Sequence, residues 1–111
     1  MKKKFALIRV PLRVSFIGGG SDLPAYVNNT SHGSVISASI DKYIYISLKR
    51  HNPEFKERIK VHLTNHVENV KNVNDLKNKI IRATLKELKF NEPIQIMISN
   101  DVRPGSGLGS S

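Results

Sequence analysis

Residue types suited to binding phosphate are concentrated at the end of the sequence. Residues 101–111 contain three glycines on alternate positions followed by two serines: Gly105, Gly107, Gly109, Ser110 and Ser111. Glycine tolerates positive φ and lets a ligand approach bare backbone N–H groups. Successive exposed N–H groups ahead of a helix N-terminus form an anion cradle, and the two hydroxyls could cap a helix or offer an oxygen to a metal ion. The segment therefore predicts a phosphate-handling loop.

Two common phosphate loops do not fit this segment. A Walker A loop places a lysine immediately before the Ser or Thr, whereas Gly109 precedes Ser110 here. The dinucleotide fingerprint requires Gly-x-Gly-x-x-Gly spacing within a βαβ unit, but that spacing does not occur and no βαβ unit follows the segment. The kind of anion that the loop binds therefore stays open on this segment alone.

A second glycine-rich segment, residues 18–24, lies near the start of the chain. It consists of three consecutive glycines followed by Ser21-Asp22-Leu23-Pro24. Ser21 or Asp22 could cap a short helical turn with Pro24 near its first position. Considered without the rest of the chain, a plain turn is the favoured interpretation of this segment.

The composition is that of a single globular domain at most. The chain has 111 residues, of which 39% are hydrophobic and 24% charged. Its lack of cysteine excludes a disulfide framework, a thiolate zinc site and a thiol nucleophile, and agrees with a cytoplasmic protein. The four histidines show no metal-ligand spacing. The apolar run after the N-terminal lysines is too short for a signal peptide, and no window approaches a membrane span.

The formal net charge of +9 leaves three interpretations open. The chain could bind nucleic acid, it could bind a phosphorylated small substrate, or it could be part of a larger protein whose other part carries the acidic residues. Aromatic residues make up only 6% of the chain and no RNA- or DNA-binding motif is visible, so nucleic acid is not the favoured partner.

Hydrophobic alternation predicts several strands. The segments concerned are residues 5–10, 14–17, 34–40, 43–48, 59–63 and 94–98. The first ends at Pro11, as expected of an edge or first strand. Asp41-Lys42 can form a tight turn, so the third and fourth segments are expected to pair as a hairpin.

One amphipathic helix is expected before the last strand. Asn74 is placed to cap it, and it extends to about Phe90. Its expected apolar face consists of Leu76, Ile80, Ile81, Ala83, Leu85 and Leu88. The order of strands, helix, strand and glycine loop predicts an α+β fold, with a mixed or antiparallel sheet and a packed helix.

Taken together, the two glycine-rich segments resemble the first and second motifs of the GHMP kinases. The matching segments are Arg9-Val-Pro-Leu-Arg-Val-Ser-Phe-Ile-Gly-Gly-Gly-Ser-Asp-Leu-Pro24 and Arg103-Pro-Gly-Ser-Gly-Leu-Gly-Ser-Ser111. Residues 33–46 are similar to the sugar-kinase branch typified by D-glycero-D-manno-heptose 7-phosphate kinase, in which Thr usually stands where this chain has Ser21. The resemblance covers nearly the whole chain, most weakly from about residue 52 to 91. It implies the N-terminal part of a GHMP kinase domain, with a fold like ribosomal protein S5 domain 2.

The resemblance implies a binding role for each glycine-rich segment. The second motif would wrap the phosphates of ATP with Pro104, Gly105, Ser106, Gly107, Leu108, Gly109, Ser110 and Ser111. Ser111 would also reach the Mg²⁺ ion. The first motif would line a sugar pocket with Arg13, Gly18, Gly19, Gly20, Ser21 and Asp22. Asp22 would accept hydrogen bonds from sugar hydroxyls, Arg13 would lie near the phosphoryl acceptor or a substrate phosphate, and the glycines would let the sugar approach the backbone.

The implied activity is ATP-dependent phosphorylation of a sugar or sugar phosphate, in particular heptose 7-phosphate at its anomeric hydroxyl. A fucose or galactose kinase is the nearest alternative. Family members are longer, and they carry the catalytic base, an acidic Mg²⁺ ligand and a third glycine-rich motif beyond the second motif. Residues 1–111 are therefore expected to form a partial N-terminal domain without a catalytic residue. Phosphoryl transfer depends on positioning and charge stabilisation, so the isolated chain is expected to be inactive.

A basic nucleic-acid-binding module is the alternative from a different functional class. The S5-like fold also occurs in RNA-associated proteins, and the +9 charge would suit that partner. A salt-titrated RNA-binding assay separates the two hypotheses, because binding to a phosphate backbone weakens steeply with salt.

Overall fold

The computed structural model describes residues 4–30 and 32–108. In chain order its elements are β1 (Phe5–Ile17), α1 (Pro24–Thr30), β2 (Ile36–Arg50), β3 (Ile59–Leu63), β4 (His66–Val70), a 3₁₀ turn (Val73–Asp75), α2 (Lys79–Glu87) and β5 (Ile94–Asn100). The strands form one sheet in the order β1-β2-β5-β3-β4. β3 pairs antiparallel with β4 and parallel with β5, so the sheet is mixed. The predicted α+β class is confirmed. Within the described ranges, no helix is long and apolar enough to cross a membrane.

The chain divides into two compact units. One, called the core unit below, comprises the described residues up to Arg9 together with Tyr45–Ser99. The other, called the loop unit, comprises Val10–Ile44 and the described residues from Asn100 onwards. Both glycine-rich segments belong to the loop unit.

The core unit is built on the apolar face of the sheet and on α2. Its buried side chains are Ile59, Val61, Leu76, Ile81, Leu85, Ile94 and Ile96. Buried residues alternate along β3 and β5, because successive side chains of a strand point to opposite faces. The two buried residues of α2 are four apart and therefore share one face of the helix. Full burial of such a side chain contributes roughly 1.5–3 kcal/mol, so this cluster holds the unit together.

Helix α2 begins later than the sequence predicts. Its N-cap is Asn78, whose side-chain oxygen accepts a hydrogen bond of 3.0 Å from the Ile81 N–H. Asn74, the expected cap, lies within the 3₁₀ turn instead. Both residues have a good capping side chain, so residue type alone could not choose between them.

A buried carboxylate fixes the start of the helix. Glu68 on β4 is only 7% exposed, and its two oxygens accept hydrogen bonds from the backbone N–H groups of Lys77 (2.6 Å) and Asn78 (3.1 Å). These contacts bind the residues before α2 to the sheet. A hydrogen-bond acceptor on another element, such as Glu68, cannot be recognised from the local sequence pattern of the helix.

The predicted apolar face of the helix is only partly buried. Leu76, Ile81 and Leu85 are in the core as expected, although Leu76 precedes the helix. Ile80 and Leu88 are 63% and 68% exposed, and Ala83 is also exposed. Ile80 and Ala83 lie within α2 at about 100° and 200° around its axis from Ile81, and Leu88 is its C-cap, so the face that meets the sheet has two buried positions.

Two pairs of predicted strands are single long strands. β1 runs through Pro11 without a break, which the sheet tolerates because β1 is an edge strand. β2 runs through Asp41-Lys42, so the predicted hairpin is wrong. Apolar residues fall at even-numbered positions both before and after this dipeptide, as expected of one continuous strand. Asp-Lys also lacks the glycine that two-residue hairpins favour.

The remaining strands differ less from expectation. β3 has its predicted bounds, and β5 begins at the predicted residue and continues to Asn100. β4 was not predicted. It follows β3 after the two-residue turn Thr64-Asn65, and its alternation is too weak to indicate a strand without its partner.

Candidate functional site

A backbone hydrogen bond in the loop unit joins the second glycine-rich segment to β1, the strand that leads into the first. The Arg13 N–H on β1 donates a hydrogen bond of 3.1 Å to the carbonyl oxygen of Leu108. Leu108 belongs to the second segment, whereas β1 leads directly into the first. The second segment and the predicted site residue Arg13, which are far apart in sequence, are thus in contact in the fold.

The first glycine-rich segment is an ordered turn that leads into α1. The Ser21 N–H donates to the Gly18 carbonyl (3.0 Å), and the Leu23 N–H donates to the Gly20 carbonyl (3.1 Å). Gly18 and Gly20 have φ of 84° and 90°, values that side chains other than glycine rarely adopt. A helix, α1, begins at Pro24, so the plain turn favoured for this segment is replaced by the other possibility, a glycine turn that leads into a short helix.

The turn is packed tightly against the segment that precedes β2. A Cβ atom on Gly18 would lie 1.9 Å from the Ser34 carbonyl oxygen, and one on Gly33 would lie 2.0 Å from the Ser21 carbonyl oxygen. The Ser21 hydroxyl donates a hydrogen bond of 3.0 Å to the same Ser34 oxygen. Gly18 and Ser21 therefore shape the site by close approach of two backbones.

A cavity of about 550 Å³ opens beside this turn. It is lined by Ile17, Gly18, Gly19, Gly20, Ser21, Tyr26, His32, Gly33 and Ser34. Its volume lies in the range of small-molecule sites, roughly 300–1,000 Å³. Gly19 and Gly20 leave it open, since the nearest atom to a Cβ on either would be 3.9 Å away. The cavity thus includes most of the first motif's predicted site residues.

Several lining residues were not predicted from the sequence. These are Ile17, Tyr26, His32, Gly33 and Ser34. Tyr26 follows the glycine turn closely in sequence, and an aromatic residue at such a place was an available signal. The others meet the turn only through the tertiary fold, so no local pattern marks them.

Two predicted site residues lie outside the cavity lining. Asp22 is exposed on the turn, and Arg13 is exposed on β1, where its guanidinium donates to the Ser15 hydroxyl at 2.8 Å. Arg13 is instead adjacent to the second segment through its backbone contact with Leu108. Their roles in binding stay predictions.

The second glycine-rich segment has an open backbone. Gly105 and Gly107 have φ of 83° and 74°, and a Cβ atom on either would meet no described atom within 4 Å. The segment is anchored where it leaves β5: the Asp101 N–H donates to the Tyr43 carbonyl (3.0 Å), and the Tyr43 N–H donates to the Asp101 carboxylate (2.9 Å). Such a loop can present backbone groups to an anion.

The last part of the predicted phosphate loop lies outside the described residues. Gly109, Ser110 and Ser111, including the predicted Mg²⁺ ligand, belong to that part. Pro104 and Ser106 are exposed, as expected of a loop that meets a ligand. The structure therefore describes five of the eight residues predicted to hold the nucleotide phosphates, Pro104, Gly105, Ser106, Gly107 and Leu108.

Two solved structures that share this fold are described as sugar kinases. A D-glycero-D-manno-heptose 1-phosphate kinase from Bacteroides thetaiotaomicron matches 91% of this chain, with a TM-score of 0.70 and 23% identity. A candidate sugar kinase from Campylobacter jejuni matches 96% of the chain, with a TM-score of 0.67 and 26% identity. The chain spans 35% and 36% of the lengths of these two proteins. No protein-family model matches the chain, and no curated protein matches its sequence.

These comparisons confirm the resemblance to sugar kinases at the level of the fold. They cover nearly all of this chain but only about a third of each neighbour. The activity and the substrate of the protein therefore have to be inferred from the arrangement of its own residues.

Proposed function

We propose that this chain is a partial N-terminal domain, like S5 domain 2 in fold, of a GHMP-type sugar kinase. The complete protein would use ATP and Mg²⁺ to phosphorylate a sugar or sugar phosphate. The hydrogen bond between the Arg13 N–H and the Leu108 carbonyl supports this best, because it brings the two motif segments together in one unit. A kinase site needs this arrangement, since donor and acceptor must be held side by side.

The cavity beside Gly19 and Gly20 is the proposed acceptor site. It is large enough for a monosaccharide phosphate, and its lining combines open backbone with serine hydroxyls. Asp22 and Arg13 are proposed to reach the acceptor from the turn and from β1. The proposed acceptor is D-glycero-D-manno-heptose 7-phosphate at its anomeric hydroxyl. The resemblance of residues 33–46 to heptose 7-phosphate kinases supports this choice, and the heptose 1-phosphate kinase among the structural neighbours supports a heptose phosphate in general.

Residues 104–108 are the proposed cradle for the ATP phosphates. The open backbone and left-handed glycines of this segment fit a polyphosphate that contacts N–H groups. Bound ATP and Mg²⁺ would supply the transferable phosphoryl group and neutralise its developing charge. Ser111 is the proposed metal ligand within the chain. A catalytic base is proposed beyond Ser111, so we expect no turnover from residues 1–111 alone.

The test is phosphorylation by the complete protein with ATP, Mg²⁺ and four separate acceptors: heptose 7-phosphate, heptose 1-phosphate, fucose and galactose. We expect turnover with heptose 7-phosphate, and ³¹P NMR of the product should show a new phosphate at the anomeric carbon. A folded protein that phosphorylates none of the four would overturn the proposal. RNA binding that weakens steeply with salt, without ATP binding, would favour the nucleic-acid hypothesis instead.

A further inference from the structure

The lining of the loop-unit cavity is of two chemical kinds. Gly19 and Gly20 contribute open backbone, and Ser34 contributes polar groups. Ile17 and Tyr26 contribute apolar surface, and they are 68% and 49% exposed. Large apolar side chains that line an open cavity indicate a ligand with an apolar side as well as polar groups.

Tyr26 does not belong to the hydrophobic core of the described residues. Helix α1, on which it lies, has no buried residue. Backbone hydrogen bonds nevertheless tie the helix to the glycine turn, from the Tyr26 N–H to the Leu23 carbonyl (2.9 Å) and from the Leu23 N–H to the Gly20 carbonyl (3.1 Å). The backbone of Tyr26 is therefore held at a set place relative to the turn, and its side chain lines the cavity.

A sugar in its closed ring form matches this lining. One face of such a ring is covered by C–H groups, and its edge carries hydroxyls. The negative face of an aromatic ring attracts C–H groups, and the contact also removes apolar surface from water. Backbone groups and serine can bind the hydroxyls.

We propose that Tyr26 is the surface on which the acceptor ring stacks, so that the protein selects a closed-ring sugar over an open-chain polyol phosphate. This inference rests on the proposed kinase function and adds a specificity-determining residue to it. The interaction comes from the aromatic ring, and the phenol hydroxyl contributes little. The Tyr26→Phe variant should therefore keep its affinity for the acceptor, whereas the Tyr26→Leu variant should bind the acceptor more weakly.

The experiment compares Tyr26→Phe, Tyr26→Leu and Phe16→Leu in the complete protein. Phe16 is a matched control, because it is 66% exposed in the same unit but does not line the cavity. With heptose 7-phosphate we expect Tyr26→Leu to raise KM by about fivefold to tenfold with little change in kcat, as expected for a lost aromatic contact. Tyr26→Phe and Phe16→Leu should each stay within about twofold of the parent KM, because neither removes the stacking ring.

A second measurement does not depend on any variant. In deuterated protein with protonated tyrosine rings, NMR should show cross-relaxation from the Tyr26 ring to the C–H protons of bound heptose 7-phosphate. Sorbitol 6-phosphate, an open-chain phosphate, should bind more weakly and show no such signal.

The outcomes separate this inference from the proposed function. A parent protein that neither binds nor phosphorylates any sugar contradicts the kinase proposal itself. A parent that phosphorylates heptose 7-phosphate with a KM unchanged by Tyr26→Leu contradicts only the role of Tyr26. Equal loss in Tyr26→Leu and Phe16→Leu would also contradict it, because the effect would then not depend on the cavity.

Discussion

The core unit and the loop unit are stabilised by different physical means. Among the described residues, the buried apolar side chains belong to the core unit with one exception, Leu12, which is 2% exposed. The loop unit instead contains both glycine-rich segments and the cavity of about 550 Å³. Its segments are joined by backbone hydrogen bonds and by the close approach of Gly18 to Ser34 and of Gly33 to Ser21.

This difference separates stability from binding. Side-chain burial supplies most of the favourable free energy of folding, so substitutions in the core unit should act on stability first. Ligand-binding loops come from the less stable parts of a protein, and their geometry depends on a few backbone contacts. Substitutions at those contacts should act on binding more than their cost in stability suggests.

The largest effect on stability is expected from Leu76→Ala in the core unit. Leu76 is fully buried, and removing a buried leucine side chain typically costs about 2–5 kcal/mol of unfolding free energy. Urea denaturation of the complete protein measures this. Leu88→Ala is the control, since Leu88 is 68% exposed and should lose well under 1 kcal/mol, roughly the scale of surface substitutions. Equal losses would show that the assigned core is wrong.

An intermediate effect is expected from Gly33→Ala in the loop unit. The added Cβ would lie 2.0 Å from the Ser21 carbonyl oxygen, so the two segments must separate, at a cost of about 1–3 kcal/mol. Because this contact shapes the cavity, sugar-phosphate binding should weaken even where the protein stays folded. Calorimetric titration and urea denaturation measure the two effects.

Gly19→Ala is the control for the stability part of that prediction. A Cβ on Gly19 has open space, and its φ is not in the left-handed region, so the unfolding free energy should change by roughly 0.5 kcal/mol or less. If Gly33→Ala left both the unfolding free energy and sugar-phosphate binding essentially unchanged, the close packing of the two segments would not matter.

A smaller effect is expected from Glu68→Gln. The two carboxylate oxygens of Glu68 each accept a backbone N–H, and an amide would turn its NH₂ group towards one of these donors. Leaving one buried donor unsatisfied should cost about 1–2 kcal/mol, and hydrogen exchange at the Lys77 and Asn78 amides should become faster. The exposed Glu87→Gln serves as the control. Unchanged exchange at those two amides would contradict the assigned role of Glu68.

The sequence was informative wherever the structure depends on local pattern. It predicted the bounds of β3 and the α+β class, and its two glycine motifs indicated the sugar-kinase fold. The sequence-based predictions were wrong where contacts with residues distant in sequence determine the structure. Glu68 moves the helix start to Asn78, and the edge position of β1 lets the strand pass through Pro11.

The candidate site was predictable to a similar extent. Gly18–Gly20 and Ser21, which the motif marked as candidate site residues, line the cavity, and their role in binding stays a prediction. Gly33 and Ser34 line the cavity only because their backbone packs against the glycine turn. The sequence does not reveal this contact between segments. Tyr26 could have been noticed as an aromatic residue close to the turn, but its exposure and its place at the cavity follow only from the structure.

The most direct test of the central claim, that the two glycine-rich segments form one binding site, is an NMR titration of the isotopically labelled complete protein. Adding Mg²⁺ with adenylyl imidodiphosphate should shift the amide signals of Gly105, Gly107 and Leu108, and that of Arg13 through its bond to Leu108. Adding heptose 7-phosphate should shift those of Gly19, Gly20 and Tyr26, while α2 of the core unit stays unchanged. Saturable binding of either ligand with shifts confined to the core unit would contradict the account.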